Sequence, residues 1–391
     1  MERNIRWLVS WPSFVLATSW LLAFLVYGLI FTPPRSEVFI IFLIYLSIFF
    51  AGDLCGRSMK LKLRFSILPH EIFIRIASGV LIAIVFLYFS QMFKIISSYP
   101  SIGAGLLDIR YENLAGEPVI PLYSIYINAI QVLFAFGVLG VCISTVNRLS
   151  CRVFLYYMFC VGLAAFASLL DGSRSFFVMG ILWIVAALYW QRVISIKLLL
   201  SLVLVLIFIF SITFSMFRPV AGGLSTGLMY ASLYFSGGVG AFGVVFDFSP
   251  DDLGIYWQSL ELLTNKLSLL GFPIEEHKIY NLRNDFVYIS DDLKTNVFTS
   301  LGLYYWYLGY YMFVMALITG FIGGWLMKLS KSTYFGMWMY PLFLCALVMS
   351  LFHDYYLPYG YYILKVILCL VVIKILSLPL QLAMNLTTRK L

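Results

Sequence analysis

The chain has 391 residues, of which 62% are hydrophobic and 11% charged, and its mean hydropathy is +0.95. A soluble domain carries roughly 45–50% apolar and about 25% charged residues, so this composition excludes an ordinary soluble enzyme and calls for a polytopic membrane protein. The net charge of +8 is no nucleic-acid footprint, because the basic residues sit in short breaks between apolar runs.

With about 20 apolar residues needed per span, the chain divides into apolar runs at 7–31, 37–52, 72–97, 121–147, 153–170, 176–190, 198–217, 297–327, 336–352 and 359–380. The expected fold is all-α, with about ten transmembrane helices. The second and sixth runs are short, and the eighth is long enough to tilt or to begin outside the bilayer. Met1 to Arg6 carries the charge of a signal peptide, but no small-residue cleavage site follows, so the first run reads as a helix that stays. The cysteines (Cys55, Cys142, Cys151, Cys160, Cys345 and Cys369) form no CxxC pair, which argues against a disulfide framework or a metal cluster.

The positive-inside rule sets the orientation. Arg3, Arg6, Arg57, Lys60, Lys62, Arg64, Arg75, Arg148, Arg152, Arg192, Lys197, Lys328, Lys331, Lys374, Arg389 and Lys390 fall on one side of this arrangement, a majority of the 26 basic residues. The same segments hold only Glu2, Asp53 and Glu71 among the acids. Both termini are therefore expected in the cytoplasm. The chain then reads as 1–217 carrying the first seven spans, 218–296 as a large outer loop, and 297–391 carrying the last three. Within the loop, "SPDDLGIYWQSLELLTNKLSLLGFP" has Asp251 or Asp252 as a cap, apolar residues at helical spacing, and Gly271 and Pro273 as a stop. It predicts an amphipathic helix.

Candidate chemistry clusters on the expected outer face. "DGSRS" interrupts two apolar runs with Asp171, Ser173 and Arg174. An arginine beside a helix start, with hydroxyls and free amides, favours an anion; the alternative is a boundary arginine that snorkels to the headgroups. Asp171 is read as the local N-cap or the partner of Arg174, and secondarily as a base. Arg218 in "RPVAGGLSTG" and Arg283 in "YNLRNDF" are further outer arginines, with an interfacial anchor and a solvated loop residue as their alternatives. Together they point to an anionic ligand, and a diphosphate suits bidentate arginine contacts. His353 and Asp354 in "LFHDYYLPYG" make a histidine–acid pair suited to base catalysis, and Asp291 in "ISDDLKTN" is a further acid, for which capping the following segment is the preferred role. Tyr304, Tyr305 and Trp306 in "GLYYWYLGYYMF", with Tyr355 and Tyr356 near the last run, form either an aromatic belt or a sugar-stacking surface. No P-loop, Rossmann fingerprint or HExxH zinc helix is present, so the sequence calls for no cofactor or metal.

Three stretches, "DGSRSFFVMGILWI", "SGGVGAFGVVFDF" and "KTNVFTSLGLYYWYLGYYMFVMALITGFIGG", resemble the Wzy family of bacterial O-antigen or oligosaccharide repeat-unit polymerases, over roughly residues 160–330. The run count is below the family's usual number, and none of the outer arginines shows the family's arginine–glycine spacing. The resemblance implies a multi-pass protein of the bacterial inner membrane with its site facing the periplasm. It also implies a metal-independent, GT-C-like glycosyltransferase of surface polysaccharide or lipopolysaccharide biosynthesis. Such an enzyme takes a glycan from undecaprenyl or another polyprenyl diphosphate and transfers it to the non-reducing-end sugar of a second lipid-linked repeat unit. Arg174, Arg218, Arg283 and Ser173 would then hold the diphosphate, His353, Asp354 or Asp291 would act as base, and the tyrosines and Trp306 would contact sugar. A chain-length regulator is the implied protein partner. The rival readings are an O-antigen ligase, with the same donor and another acceptor, and a lipid-linked glycan flippase or other transporter.

Overall fold

The computed structural model describes residues 11–31, 33–59, 70–101, 104–106, 108, 109, 112, 119–171, 174–199, 201, 202, 204, 205, 223–246, 287–290, 293–295, 299–352 and 356–388. In chain order the elements are α1 (Pro12–Ile30), α2 (Ser36–Ser58), α3 (Glu71–Ile96), α4 (Tyr123–Val146), α5 (Cys151–Leu170), α6 (Arg174–Trp190) and α7 (Gly223–Val245). They continue with β1 (Val287–Ser290), β2 (Leu293–Thr295), α8 (Ser300–Leu308), a 3-10 turn (Gly309–Tyr311), α9 (Met312–Leu329), α10 (Tyr334–Met349) and α11 (Tyr356–Thr388). Seven helices among the described residues are long and apolar enough to cross a membrane: Pro12–Ile30, Ser36–Ser58, Glu71–Ile96, Tyr123–Val146, Cys151–Leu170, Gly309–Leu329 and Tyr362–Pro379. Phe176–Trp190, Phe235–Val245 and Tyr334–Met349 are apolar but shorter. The protein is a helical, membrane-embedded chain, as its composition requires.

Helix is the solution hydrocarbon imposes, because every backbone polar group must be satisfied within the segment. Hydroxyls on these helices follow the same rule. Thr18, Ser47, Ser78, Ser168 and Thr319 donate to the carbonyls of Phe14, Leu43, Ile74, Ala164 and Met315, at 2.6–2.8 Å, which hides each hydroxyl against its own helix.

The structure differs from the sequence expectation at four places. The run at 297–327 is two helices: Gly309, at φ 53, ends α8 and the 3-10 turn leads into α9. Residues 223–245, expected in the outer loop, form α7, whose Leu233, Val239, Ala241, Phe242 and Val245 are buried; its Gly238 and Gly240 mark close packing rather than a turn. The second run continues to Ser58, since Asp53 and Arg57 pair on one helix face and need not end it. Finally, β1 and β2 pair antiparallel with a register irregularity between Tyr288 and Ser290, a short two-stranded ribbon in an otherwise helical fold. The expected amphipathic helix lies outside the described residues, as does most of the run at 198–217.

The chain divides into two compact units. The first comprises Met1–Lys60, Leu200–Lys331 and Phe343–Tyr361, and its tightest packing is α2 against α9. Gly52 and Gly56 on α2 and Gly320 and Gly324 on α9 are spaced as G-x-x-x-G on each helix. A Cβ at any of them would collide with a backbone carbonyl oxygen of the other helix: Leu317, Phe321, Phe49 and Asp53 respectively. Small residues at this spacing let transmembrane backbones touch. Against this seam, Asp53 is fully buried and takes Arg57 Nε and Nη2 at 2.8 and 2.7 Å and the Ser13 hydroxyl at 2.6 Å. The Arg57 guanidinium lies over the Trp11 ring at 4.2 Å, and Lys328 Nζ closes the α2 C-terminus on the carbonyls of Arg57 and Met59, where the helix dipole favours a cation. In the same unit Trp20 stacks on Phe42 and donates to Ser350, whose carbonyl accepts from the Ser300 amide at the start of α8.

The second unit comprises Leu61–Leu199, Ser332–Leu342 and Tyr362–Leu391. α4 is its central helix, with 83% of its most apolar stretch buried, against 28% for α3 and 39% for α5. Trp183 donates to the carbonyl of Trp338, and Trp338 to that of Ala135. Pro341 within α10 cannot bond the carbonyl of Met337, and the Cys142 thiol lies 3.9 Å from that oxygen as a weak donor. At the start of α3, Arg75 pairs with Glu71, which also accepts from Tyr157 at 2.9 Å.

Candidate functional site

Among the described residues outside the membrane-spanning segments, the break that follows α5 carries the most chemically poised group. Asp171 ends α5 in right-handed helical conformation, its amide still bonded to the Ala167 carbonyl at 3.0 Å. Its side chain turns into the second unit, where Asp171 is only 8% exposed. Tyr88, from the middle of α3, donates to Oδ1 at 3.0 Å. Tyr123, the first residue of α4, places its hydroxyl 2.8 Å from Oδ1 and 3.0 Å from Oδ2. The carboxylate is thus fixed where three helices meet. Burial pushes its pKa up to about 6, against the two hydroxyls that hold it down. A carboxyl group titrating there gives up and takes a proton near neutral pH, which is what general acid–base chemistry requires. A carboxylate offers about four acceptor positions, and two phenols leave room for another donor.

Local backbone fixes the arrangement. Leu122 precedes α4 in the left-handed region, at φ 60, although it is not glycine. It turns the chain so that Tyr123 begins the helix, and its carbonyl accepts from the amides of Ile125 and Tyr126. Tyr88 is fully buried and packs on Tyr126 with ring centroids 5.6 Å apart. Arg174 opens α6 three residues after Asp171, and Phe176 meets Phe134 and Tyr362 edge-on at 5.9 and 5.8 Å.

Asp171 was expected to cap the next helix or to pair with Arg174; the partners described for its carboxylate are instead tyrosines of two other helices. Ser173, Arg218, Arg283, Asp291, His353, Asp354 and Tyr355 lie outside the described residues. Arg174, Trp306 and Tyr356 are placed in α6, α8 and α11 by their backbone, with side chains outside the described set. Tyr304 and Tyr305 are buried at 4% and 3% exposure. The Tyr305 ring packs among Phe242, Phe246 and Tyr310 at 5.4–6.1 Å. These two rings are core, and Tyr310 and Tyr311, on the 3-10 turn, are the exposed pair. Asp291 precedes β2 in the chain, and the start of α8 is capped by Thr299, which accepts from the Gly302 amide at 3.1 Å. Among the described residues no three His, Cys, Asp or Glu side chains converge.

Sequence reasoning passed over Tyr88 and Tyr123. A tyrosine inside an apolar span is itself a signal, because its hydroxyl must find a partner there, but the partner's identity depends on which helices are neighbours. Comparison with protein-family models, curated proteins and solved structures gives no match for this chain.

Proposed function

We propose that this protein is a membrane glycosyltransferase that polymerises lipid-linked oligosaccharide repeat units, with Asp171 as its general base. The observation that carries the reading is a buried carboxyl group held by the hydroxyls of Tyr88 and Tyr123, set one residue before the Gly-Ser-Arg-Ser stretch that resembles the Wzy family; burial pushes its pKa up to about 6. In this reaction the acceptor sugar hydroxyl attacks the anomeric carbon of the donor glycan. The bond from that carbon to the polyprenyl diphosphate breaks, the diphosphate leaves with the electron pair, and the hydroxyl proton passes to Asp171. The role of Arg174, at the start of α6, is to stabilise the negative charge that develops on the leaving group, as cations and helix amides do. Arg218, Arg283 and Ser173 are the further diphosphate ligands, and His353, Asp354 and Asp291 are the rival bases. The termini lie in the cytoplasm and the site faces the periplasm of a bacterial inner membrane, beside a chain-length regulator.

Asp171→Asn and Arg174→Ala in the producing cell test this directly. Both variants are expected to insert normally and to leave single repeat units in place of a polymer ladder. A full ladder from Asp171→Asn refutes the assignment of the base. Lipid-linked polymer that forms but is not passed on marks an O-antigen ligase instead.

A flippase or other transporter is the second reading. It is favoured by ionisable groups inside the spans, namely Asp53 with Arg57, and Lys365, which donates to Asn128 Oδ1 at 2.7 Å. Such groups mark substrate or proton paths in membrane proteins. Movement of a lipid-linked glycan across protein-containing vesicles, without chain growth, would establish that reading.

A further inference from the structure

We infer that Tyr123 and Tyr88 are positioning residues that set the acidity of Asp171, with Tyr123 holding the larger share because its hydroxyl reaches both carboxylate oxygens. The inference rests on the reading of Asp171 as a base, and it concerns how that base is regulated.

Three separate features of the chain converge on the arrangement. The hydroxyl donors come from different helices, Tyr88 from α3 and Tyr123 from α4, and both bond the carboxylate at 2.8–3.0 Å. The Tyr88 ring cannot swing away freely, being fully buried between Phe89 and Tyr126, and the half-buried Tyr123 is placed by its backbone at the first residue of α4. The third feature is Leu122. Its side chain is 65% exposed, so the left-handed backbone gains it no burial; a residue held in such a conformation is over-determined by its surroundings, which is common at functional sites. What the conformation achieves is the placement of Tyr123 against Asp171.

α3 presents Tyr88 to Asp171, and α4 presents Tyr123 with Tyr126 behind Tyr88. The side chain of Arg174, which opens α6, lies outside the described residues. The described donors are therefore neutral hydroxyls. Each stabilises the ionised carboxylate by a hydrogen bond but brings no countercharge. Removing one leaves burial opposed by a single hydroxyl, so Asp171 must hold its proton to higher pH. Hydrogen bonds to a charged group contribute enough to move a titration by about one unit or more.

The test uses the full chain in lipid vesicles, titrated by infrared spectroscopy of the protonated carboxyl band. Asp171→Asn identifies the band by removing it. The midpoint is expected near 6 in the native protein, about one unit or more higher in Tyr123→Phe, and raised by less in Tyr88→Phe. Phenylalanine keeps each ring, so packing survives. Introducing 3-fluorotyrosine at position 123, whose hydroxyl donates more strongly, should move the midpoint down. A midpoint unmoved by Tyr123→Phe overturns the inference. The acid limb of the pH profile for glycan elongation should shift with the infrared midpoint. If the midpoint shifts while Asp171→Asn still elongates glycan, the tuning stands and the assignment of the base falls.

Discussion

Exchanging Gly56 for alanine adds one methyl group where α2 and α9 touch backbone to backbone. The new Cβ would overlap the Phe321 carbonyl oxygen and lie 2.8 Å from the Trp325 amide. Neither atom belongs to a flexible side chain, so the two helices must separate along the whole seam. That separation also disturbs Gly52, Gly320 and Gly324, and it pulls α9 away from buried Asp53, against which Gly324 packs. Overpacking a tight core costs about 1–3 kcal/mol; the upper end applies here, because backbone must move and the seam's four glycines share the gap. Thermal unfolding of the purified protein in detergent, followed by thiol-reactive dye, measures the loss. Gly162→Ala is the matched control, since nothing lies within 4 Å of a Cβ at that helical position, and it should be neutral or stabilising by up to about 1 kcal/mol. If the two variants melt together, the backbone seam does not hold this unit.

Three other outcomes follow from buried polar groups and backbone. Arg57→Met leaves Asp53 in the seam without its cation and should cost about 3–5 kcal/mol. Adding Asp53→Leu to that variant should recover much of the loss, and additive losses in a thermal double-mutant cycle would contradict the pairing. Leu122→Gly relieves the left-handed strain at φ 60 and should leave stability unchanged or raise it by about 1 kcal/mol, whereas branched Leu122→Val should lower the melting temperature. The pH dependence of stability carries the sign of Asp171. Its folded pKa of about 6 lies above the ordinary value of 3.8, so the folded state holds the proton more tightly. The stability this confers is present below about pH 4 and is lost as pH rises through 6, by at most about 3 kcal/mol. Melting curves from pH 4 to 7 should therefore fall less steeply for Asp171→Asn, and parallel slopes would contradict the shift.

Much of the fold was legible because hydrocarbon permits few structures. The runs at 72–97, 121–147, 153–170 and 176–190 match α3 to α6 to within a few residues. The misses have physical causes. Gly309 lies within an unbroken apolar run, and composition cannot reveal that its φ is positive. The Gly/Ser content of 223–245 reads as loop, although glycine in a membrane helix serves close packing, as Gly238 and Gly240 do against Leu351, Thr299 and Tyr27. The two G-x-x-x-G spacings are visible in the sequence, but that they face one another is not. Likewise Tyr304 and Tyr305 carry the residue types of a sugar platform and turn out to be packing, since which tyrosines are exposed depends on the turn at Gly309–Tyr311.

Two buried carboxylates in this chain are satisfied in opposite ways, and the contrast separates structure from chemistry. Asp53 receives a guanidinium through two nitrogens and a serine hydroxyl, and the cation is itself covered by Trp11. The guanidinium and the hydroxyl close the site, so Asp53 holds helices in register. Asp171 receives hydroxyls from Tyr88 and Tyr123. These neutral donors orient the carboxylate, and burial pushes its pKa up to about 6. The two phenols described for Asp171 orient its carboxylate and leave its proton exchangeable, and the left-handed Leu122 begins the helix that carries one of them. The base proposed for this chain needs both properties.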